Sequence, residues 1–232
     1  MIPIRDSVKA KIFPVVNTVI IAINALVFFY ELSLGEQLNQ FLFEYGLIPE
    51  NFTTALNRLN LVGAVFPIFS SIFMHGGWMH FLGNMWFLYI FGDNVEDSMG
   101  HGRYLVFYLL AGVGASLAHV LFNTASQVPT IGASGAIAGV MGAYIVLHPK
   151  GRILTLLPIF FFFQFINVPA YVFLLLWMGL QTFQGVAAIG ADASGGVAWW
   201  AHIGGFIIGA LLIFIFRKPR LDSDFFDYDD DV

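Results

Sequence analysis

The chain has no cysteine. That excludes disulfides, thiolate nucleophiles and cysteine-bound metal centres, although it does not fix the redox compartment. Charge is scarce as well: 11% of the 232 residues are Asp, Glu, Lys or Arg, against about 25% in an average soluble domain. With 58% hydrophobic residues, the chain cannot cover itself with a water-facing surface, so most of its solvent is lipid. There is no basic cluster to grip a nucleic acid, and no internal repeat. The net charge of −5 says little about partners, because six of the fifteen carboxylates (Asp222, Asp224, Asp227, Asp229, Asp230 and Asp231) fall in the last eleven residues. Residues 217–232 read as a solvated, disordered acidic tail.

What is abundant is long charge-free sequence, and the charges divide it into spans. Ile12–Tyr30 is 19 residues without a charge and Leu59–Gly92 is 34. Tyr104–Pro149 is 46 residues, broken by the polar stretch Asn123–Thr130, so it holds two spans. Ile153–Ala191 is 39 residues, interrupted early by Pro158 and Pro169, which leaves one span at about 169–189. Ala193–Phe216, with 24 residues, is the last. A crossing takes about 20 apolar residues, so six helices are predicted. With the N-terminus inside, nine of the ten basic residues lie on the cytoplasmic side and Arg58 alone lies outside. A seventh span within 153–168 would break that asymmetry, so this stretch is expected to be a buried or interfacial segment. No small-residue cleavage site follows the first apolar run, which is expected to be a retained helix that also serves for targeting.

The expected fold is therefore an all-α polytopic membrane protein. Residues 1–13 form a cytoplasmic N-terminal segment and residues 14–216 a six-helix domain, followed by the cytoplasmic tail. The long first outer connection, about 33–74, mixes Glu36, Glu44, Glu50 and Arg58 with Phe41, Leu42, Phe43, Leu47 and Ile48. That mixture predicts short amphipathic helices in the membrane interface.

Polar groups inside such spans are costly, and three places hold them. His80 and Asn84 are four apart and share a helix face. Ser134 lies in Gly132-Ala133-Ser134-Gly135, directly after a chain-breaking Pro129–Gly132 stretch. It therefore starts a helix, where free N–H groups and the positive dipole end gather. His202 opens the last span beside a small-residue face of Ala201, Gly205 and Gly209. Each has a plain structural explanation alone: interhelical glue, an N-cap, a satisfied histidine. Under the predicted topology, however, all four fall at one depth in the outer half of the bundle. A serine, a base and amide or imidazole donors are the parts of an acyl-transfer site.

A serine hydroxyl needs a base within hydrogen-bond reach, and His202 supplies one if the fourth and sixth spans touch. No carboxylate is placed to orient the imidazole, since Glu96 and Asp97 fall at the cytoplasmic end and Asp192 on an outer loop. A Ser134–His202 dyad is therefore expected. Asn84, His80 and the backbone N–H of Ser134 are the candidate donors to the oxyanion. The water consumed would come from the outer side. His101, His119 and His148 are read as structural, and the run Phe160–Phe163 as packing or lipid-facing surface.

At these residues the chain resembles the rhomboid intramembrane proteases. The motifs are His75…His80-Phe81-Leu82-Gly83-Asn84, Gly132-Ala133-Ser134-Gly135, and Ala201-His202-Ile203-Gly204-Gly205 with Gly209. Phe91–Asp97 with Gly100 resembles the family's turn after the second helix. The resemblance implies a rhomboid-like bundle, Ser134 as nucleophile, His202 as general base and an oxyanion site of His80, Asn84 and Ser134. His75, Gly132, Gly135 and Gly205 are the supporting positions. It further implies cleavage of single-span membrane proteins in or near their membrane segments, with no metal or cofactor and no nucleic acid partner. The expected location is a prokaryotic cytoplasmic membrane; oligomeric state, physiological substrate and pathway stay open. Two departures stand out. Phe66-Pro67 replaces a Trp-Arg pair common in the first outer loop, and Ala138 stands where many members pack an aromatic on the catalytic imidazole. A pseudoprotease that binds membrane clients is the nearest rival. A transporter is the second, weakened by the lack of charged residues assigned inside the spans.

Overall fold

A computed structural model describes residues 1–159, 162–187 and 198–219. Asp192, Phe160, Phe161 and the acidic tail from Arg220 onward lie outside the described residues.

Helix α1 (Val15–Ser33) opens the bundle. A one-turn 3-10 helix (Gly35–Gln37) and three short helices follow: α2 (Leu38–Tyr45), α3 (Pro49–Asn57) and α4 (Leu61–Ser71). Then come α5 (Trp78–Met99), α6 (His101–Phe122), α7 (Ser134–Leu147), α8 (Ala170–Ala187) and α9 (Trp199–Phe216). Among the described residues, α1, α6, α8 and α9 are long and apolar enough to cross a membrane. Helix α5 has 22 residues, but Asp93, Glu96 and Asp97 sit in its last two turns. Helix α7 is apolar with 14 residues, shorter than the roughly 20 of an ordinary crossing.

The short α7 is the axis of the bundle. Ten consecutive residues, Gly135–Tyr144, are buried, because α5, α6 and α9 pack around it. Helix α1 lies outside α5, held by the stacked rings of Phe28 and Phe81 at 4.5 Å. Helix α8 lies against α9. The approach of α7 to α9 is closer than side chains allow: a methyl on Gly205 would overlap the Gly135 carbonyl, and one on Gly209 the Gly139 carbonyl. Packing of this kind is how helices associate where no hydrophobic effect drives them together.

The all-α expectation is corrected by a three-stranded antiparallel sheet at the end of the bundle away from Ser134. Strand β1 (Ile2–Asp6) pairs with β2 (Arg152–Ile159), and β2 with β3 (Phe162–Pro169). Residues 1–13 are thus part of the fold, and 153–168 is a hairpin with Ile153 opposite Val168 and Leu157 opposite Gln164. Its Ile153 and Thr155 are buried while Phe162, Phe163 and Phe165 are exposed, so the segment is not simply buried. Counting apolar residues does not separate strand from helix. The prolines here disfavour a continuous helix, and the β-branched and aromatic residues favour extended backbone. Asp6 pins the sheet to the bundle, accepting hydrogen bonds from Tyr144 Oη at 2.6 Å and Asn94 Nδ2 at 2.8 Å.

Two further expectations change. Phe91–Asp97 is helix, not turn; the chain reverses at Gly100, whose φ of +83° glycine alone adopts freely. His101 then begins α6. Helix α1 also runs past Tyr30 and takes in Glu31, which is only 1% exposed. A charged residue type therefore does lie inside a long helix.

Candidate active site

Ser134 is the first residue of α7. Gly132 has φ +124°, a left-handed conformation that turns the chain sharply into the helix. The approach to it is fixed at several points. Thr130 and Leu47 exchange backbone hydrogen bonds at 2.8 and 3.1 Å, and the Gly132 N–H donates to the Ser71 carbonyl at 2.8 Å. The short helices before α5 therefore buttress the serine loop. They carry Phe66-Pro67 within α4, where Ser70 Oγ donates to the Tyr45 carbonyl at 2.6 Å.

His202 lies in the first turn of α9 and is 7% exposed. Its Nε2 is 2.8 Å from Ser134 Oγ. Its Nδ1 is 2.7 Å from Oε1 of Gln181 on α8. Two indole rings flank the imidazole: Trp177 at 5.9 Å with planes 36° apart, and Trp199 edge-on at 6.2 Å. The ring that Ala138 does not provide from α7 is thus replaced from α8 and α9.

His80 approaches from α5. A methyl on Gly132 would stand 2.6 Å from His80 Nε2 and 3.6 Å from Ser134 Oγ. Imidazole and hydroxyl therefore border the same small space, which glycine keeps open. Asn84, one turn further along α5, is buried, and its Nδ2 has no hydrogen-bond partner among the described residues. A buried amide donor without a partner is costly in apolar surroundings. That cost is borne by the resting protein and is relieved when a ligand oxygen accepts from the amide.

His75 sits behind His80 with ring centroids 5.2 Å apart. Its backbone N–H donates to both Glu31 carboxyl oxygens, at 3.0 and 3.2 Å. Of the supporting glycines, Gly135 and Gly205 carry the α7–α9 approach, and Gly132 makes room for His80. His119 is half-buried in α6 and His148 follows the end of α7; neither hydrogen-bonds to Ser134 or His202. Among the described residues, no three His, Asp or Glu side chains converge as a metal site.

Sequence reasoning missed Gln181, Trp177, Trp199 and Glu31. A signal for the first two was available: Trp177 and Gln181 are four apart in an apolar helix and so share a face. Glu31 was set aside because the charge-free run stops at Tyr30.

A set of long apolar helices, with a serine–histidine pair clasped between one of them and the short α7, defines a multi-pass membrane protein with a candidate hydrolytic centre. A family model described as Rhomboid domain matches residues 62–219, and the chain belongs to the rhomboid family. It is similar to the Rhomboid protease GluP of Bacillus subtilis (strain 168), with 30% identity over 197 residues, 84% of this chain and 34% of that protein. It is 28% identical to Rhomboid-like protein 11, chloroplastic, of Arabidopsis thaliana, over 69% of this chain and 56% of that one. The mitochondrial Presenilin-associated rhomboid-like protein of Bos taurus is 27% identical over 62% of this chain and 36% of its own length. The chain therefore spans between about a third and just over half of the length of these relatives.

Proposed function

We propose that this protein is an intramembrane serine endopeptidase that cleaves single-span membrane proteins in or near their membrane segments. The observation that carries this reading is the 2.8 Å contact of Ser134 Oγ with His202 Nε2 between two apolar helices. His202 takes the hydroxyl proton as Ser134 attacks the scissile carbonyl, then returns it to the leaving amine. The resulting acyl-enzyme is hydrolysed by a water that His202 activates in turn. Ser134 N–H, at a helix N-terminus, with Asn84 Nδ2 and His80 Nε2, forms the donor set for the tetrahedral oxyanion. No step requires a cofactor.

The proposed membrane arrangement uses six spans, α1 and α5 to α9, with residues 14–216 as the protease domain. Both termini are cytoplasmic, the site is wetted from the extracytoplasmic side, and the setting is a prokaryotic cytoplasmic membrane. The short α7 fits this arrangement if Ser134 lies below the outer surface at the floor of a water-filled recess, because a helix starting there has less membrane to cross. Helices α2 to α4 lie in the outer interface. Support comes from the positive-inside distribution of Lys and Arg and from the similarity to a named rhomboid protease.

A fluorophosphonate probe tests the reading directly. The purified protein is expected to be labelled at Ser134, and Ser134→Ala to abolish both labelling and cleavage of a single-span substrate. Persistent labelling in Ser134→Ala, or none in the parent, overturns it.

A further inference from the structure

A neutral imidazole carries its proton on one ring nitrogen and its lone pair on the other. To accept the Ser134 proton, His202 needs the lone pair on Nε2, which requires the proton on Nδ1. A buried Nδ1–H in turn needs an acceptor. Its partner in this fold is not a carboxylate but Oε1 of Gln181, at 2.7 Å across the α8–α9 contact. If the amide were turned over, its NH2 would donate to Nδ1. The ring proton would then sit on Nε2, where the imidazole cannot act as base toward the serine. The acceptor orientation is favoured because it lets both hydrogen bonds run in one direction: Ser134 Oγ–H to Nε2, then Nδ1–H to Gln181 Oε1. Gln181 is partly exposed, so its NH2 can be solvated while its oxygen faces the ring. One turn earlier on the same face of α8, Trp177 lays its indole near the imidazole. Helix α8 therefore holds the base by both an edge and a face.

We infer that Gln181 is a positioning residue for His202: its side-chain carbonyl fixes the imidazole tautomer and braces the imidazolium that forms during acyl transfer. The site is then a dyad completed by an amide oxygen. A neutral acceptor offers part of the stabilisation that an ionised carboxylate would give, without placing a charge in an apolar bundle. The kinetic consequence rests on the endopeptidase reading above, whereas the hydrogen bond does not.

Two variants and one spectroscopic measurement on the full chain test this. Gln181→Met keeps the volume and removes the acceptor; Gln181→Glu keeps an acceptor oxygen whether or not it is ionised. In Gln181→Met, kcat on a single-span substrate is expected to fall roughly 10- to 150-fold with KM within about twofold, the range for losing a hydrogen bond to a charged group. Gln181→Glu is expected to recover kcat to within about threefold of the parent, because the acceptor is restored. In 15N-histidine spectra of the parent, His202 is expected to carry its proton on Nδ1, in slow exchange with water. Parental kcat in Gln181→Met, a Gln181→Glu variant no better than Gln181→Met, or a parental His202 protonated on Nε2 overturns the inference. Should Gln181→Met fail to fold, Gln181→Glu and the parental spectrum still decide it. Cleavage that survives in Ser134→Ala would sink the endopeptidase reading instead, and the Nδ1 proton would still report on Gln181.

Discussion

Gly205 of α9 packs against the backbone carbonyl of Gly135 on α7 so closely that a single methyl on Gly205 would overlap it. Gly135 follows Ser134 and Gly205 comes three residues after His202, so the same contact sets the serine–imidazole distance. Gly205→Ala is expected to part the helices at the site. Overpacking of this kind costs typically about 1–3 kcal/mol. Fluorophosphonate labelling should fall at least tenfold, a loss about 1.4 kcal/mol in the barrier would produce. Gly179 in α8 has no atom within 4 Å of where its methyl would stand, so Gly179→Ala should keep the parental thermal midpoint and labelling. Equal labelling in the two variants would mean that the α7–α9 approach does not govern the site.

Glu96 performs a comparable role at the opposite end. It is fully buried, and its carboxyl oxygens accept the backbone N–H groups of Val16 at 2.9 Å and Asn17 at 2.7 Å. These are orphan donors in the first turn of α1, so α5 caps α1 from outside it. Asn17 extends the joint, donating to the Leu88 carbonyl at 3.0 Å and accepting from Tyr104 Oη at 2.8 Å. Glu96→Ala strands one buried and one half-buried N–H group and is expected to cost about 2–5 kcal/mol; Glu96→Gln, which keeps one acceptor oxygen, should cost less than half of that. Denaturation midpoints in detergent would check the order. Equal losses would point to the negative charge rather than the paired oxygens.

The candidate site residues were legible because lipid makes them conspicuous. A hydroxyl and two imidazoles among Phe, Leu and Ala demand explanation, and the small residues beside Ser134 and His202 pointed to the close helix pair. The stretch 152–169 was illegible for the opposite reason: between Pro158 and Pro169 it is as apolar as a span. What decides its conformation is pairing with Ile2–Asp6 some 150 residues away, which no local window contains. Gln181 escaped notice because glutamine is unremarkable near a helix end, and only the fold sets its oxygen on a ring nitrogen. The turn expected at Phe91–Asp97 rested on a resemblance of motif, whereas α5 runs on to Met99 and takes in Gly92. A methyl there would overlap the Asn17 amide, so that glycine serves helix contact rather than chain reversal.

The sheet makes the fold sensitive to pH. Burial pushes the Asp6 carboxyl above its ordinary value of 3.8, opposed in part by the hydrogen bond from Tyr144. The folded protein therefore holds the Asp6 proton to higher pH than the unfolded chain does. The associated stability is fully present below the unfolded carboxyl value and is lost as pH rises through the folded one. Asp6→Asn has no proton to lose. Its thermal midpoint relative to the parent is expected to improve as pH rises from about 3.5 to 7. A gap between the two that stays constant with pH would show that Asp6 titrates alike in both states.

Asn84 offers the sharpest division between binding and catalysis. Its Nδ2 is buried without a partner among the described residues, one helical turn from His80, whose Nε2 borders the Gly132–Ser134 space. A donor kept idle in the resting protein and used only when an oxyanion forms lowers the barrier without tightening substrate binding. Asn84→Ala is therefore expected to reduce kcat by roughly 10²- to 10³-fold with little change in KM, as for loss of one oxyanion donor elsewhere. It should also unfold at the same temperature as the parent or higher, because the variant no longer buries an unpaired amide. A variant with normal turnover would remove Asn84 from the reaction. One with raised KM and unchanged kcat would place it in substrate binding. The combination of lost rate and undiminished stability is what separates an oxyanion donor from a residue that merely holds helices together.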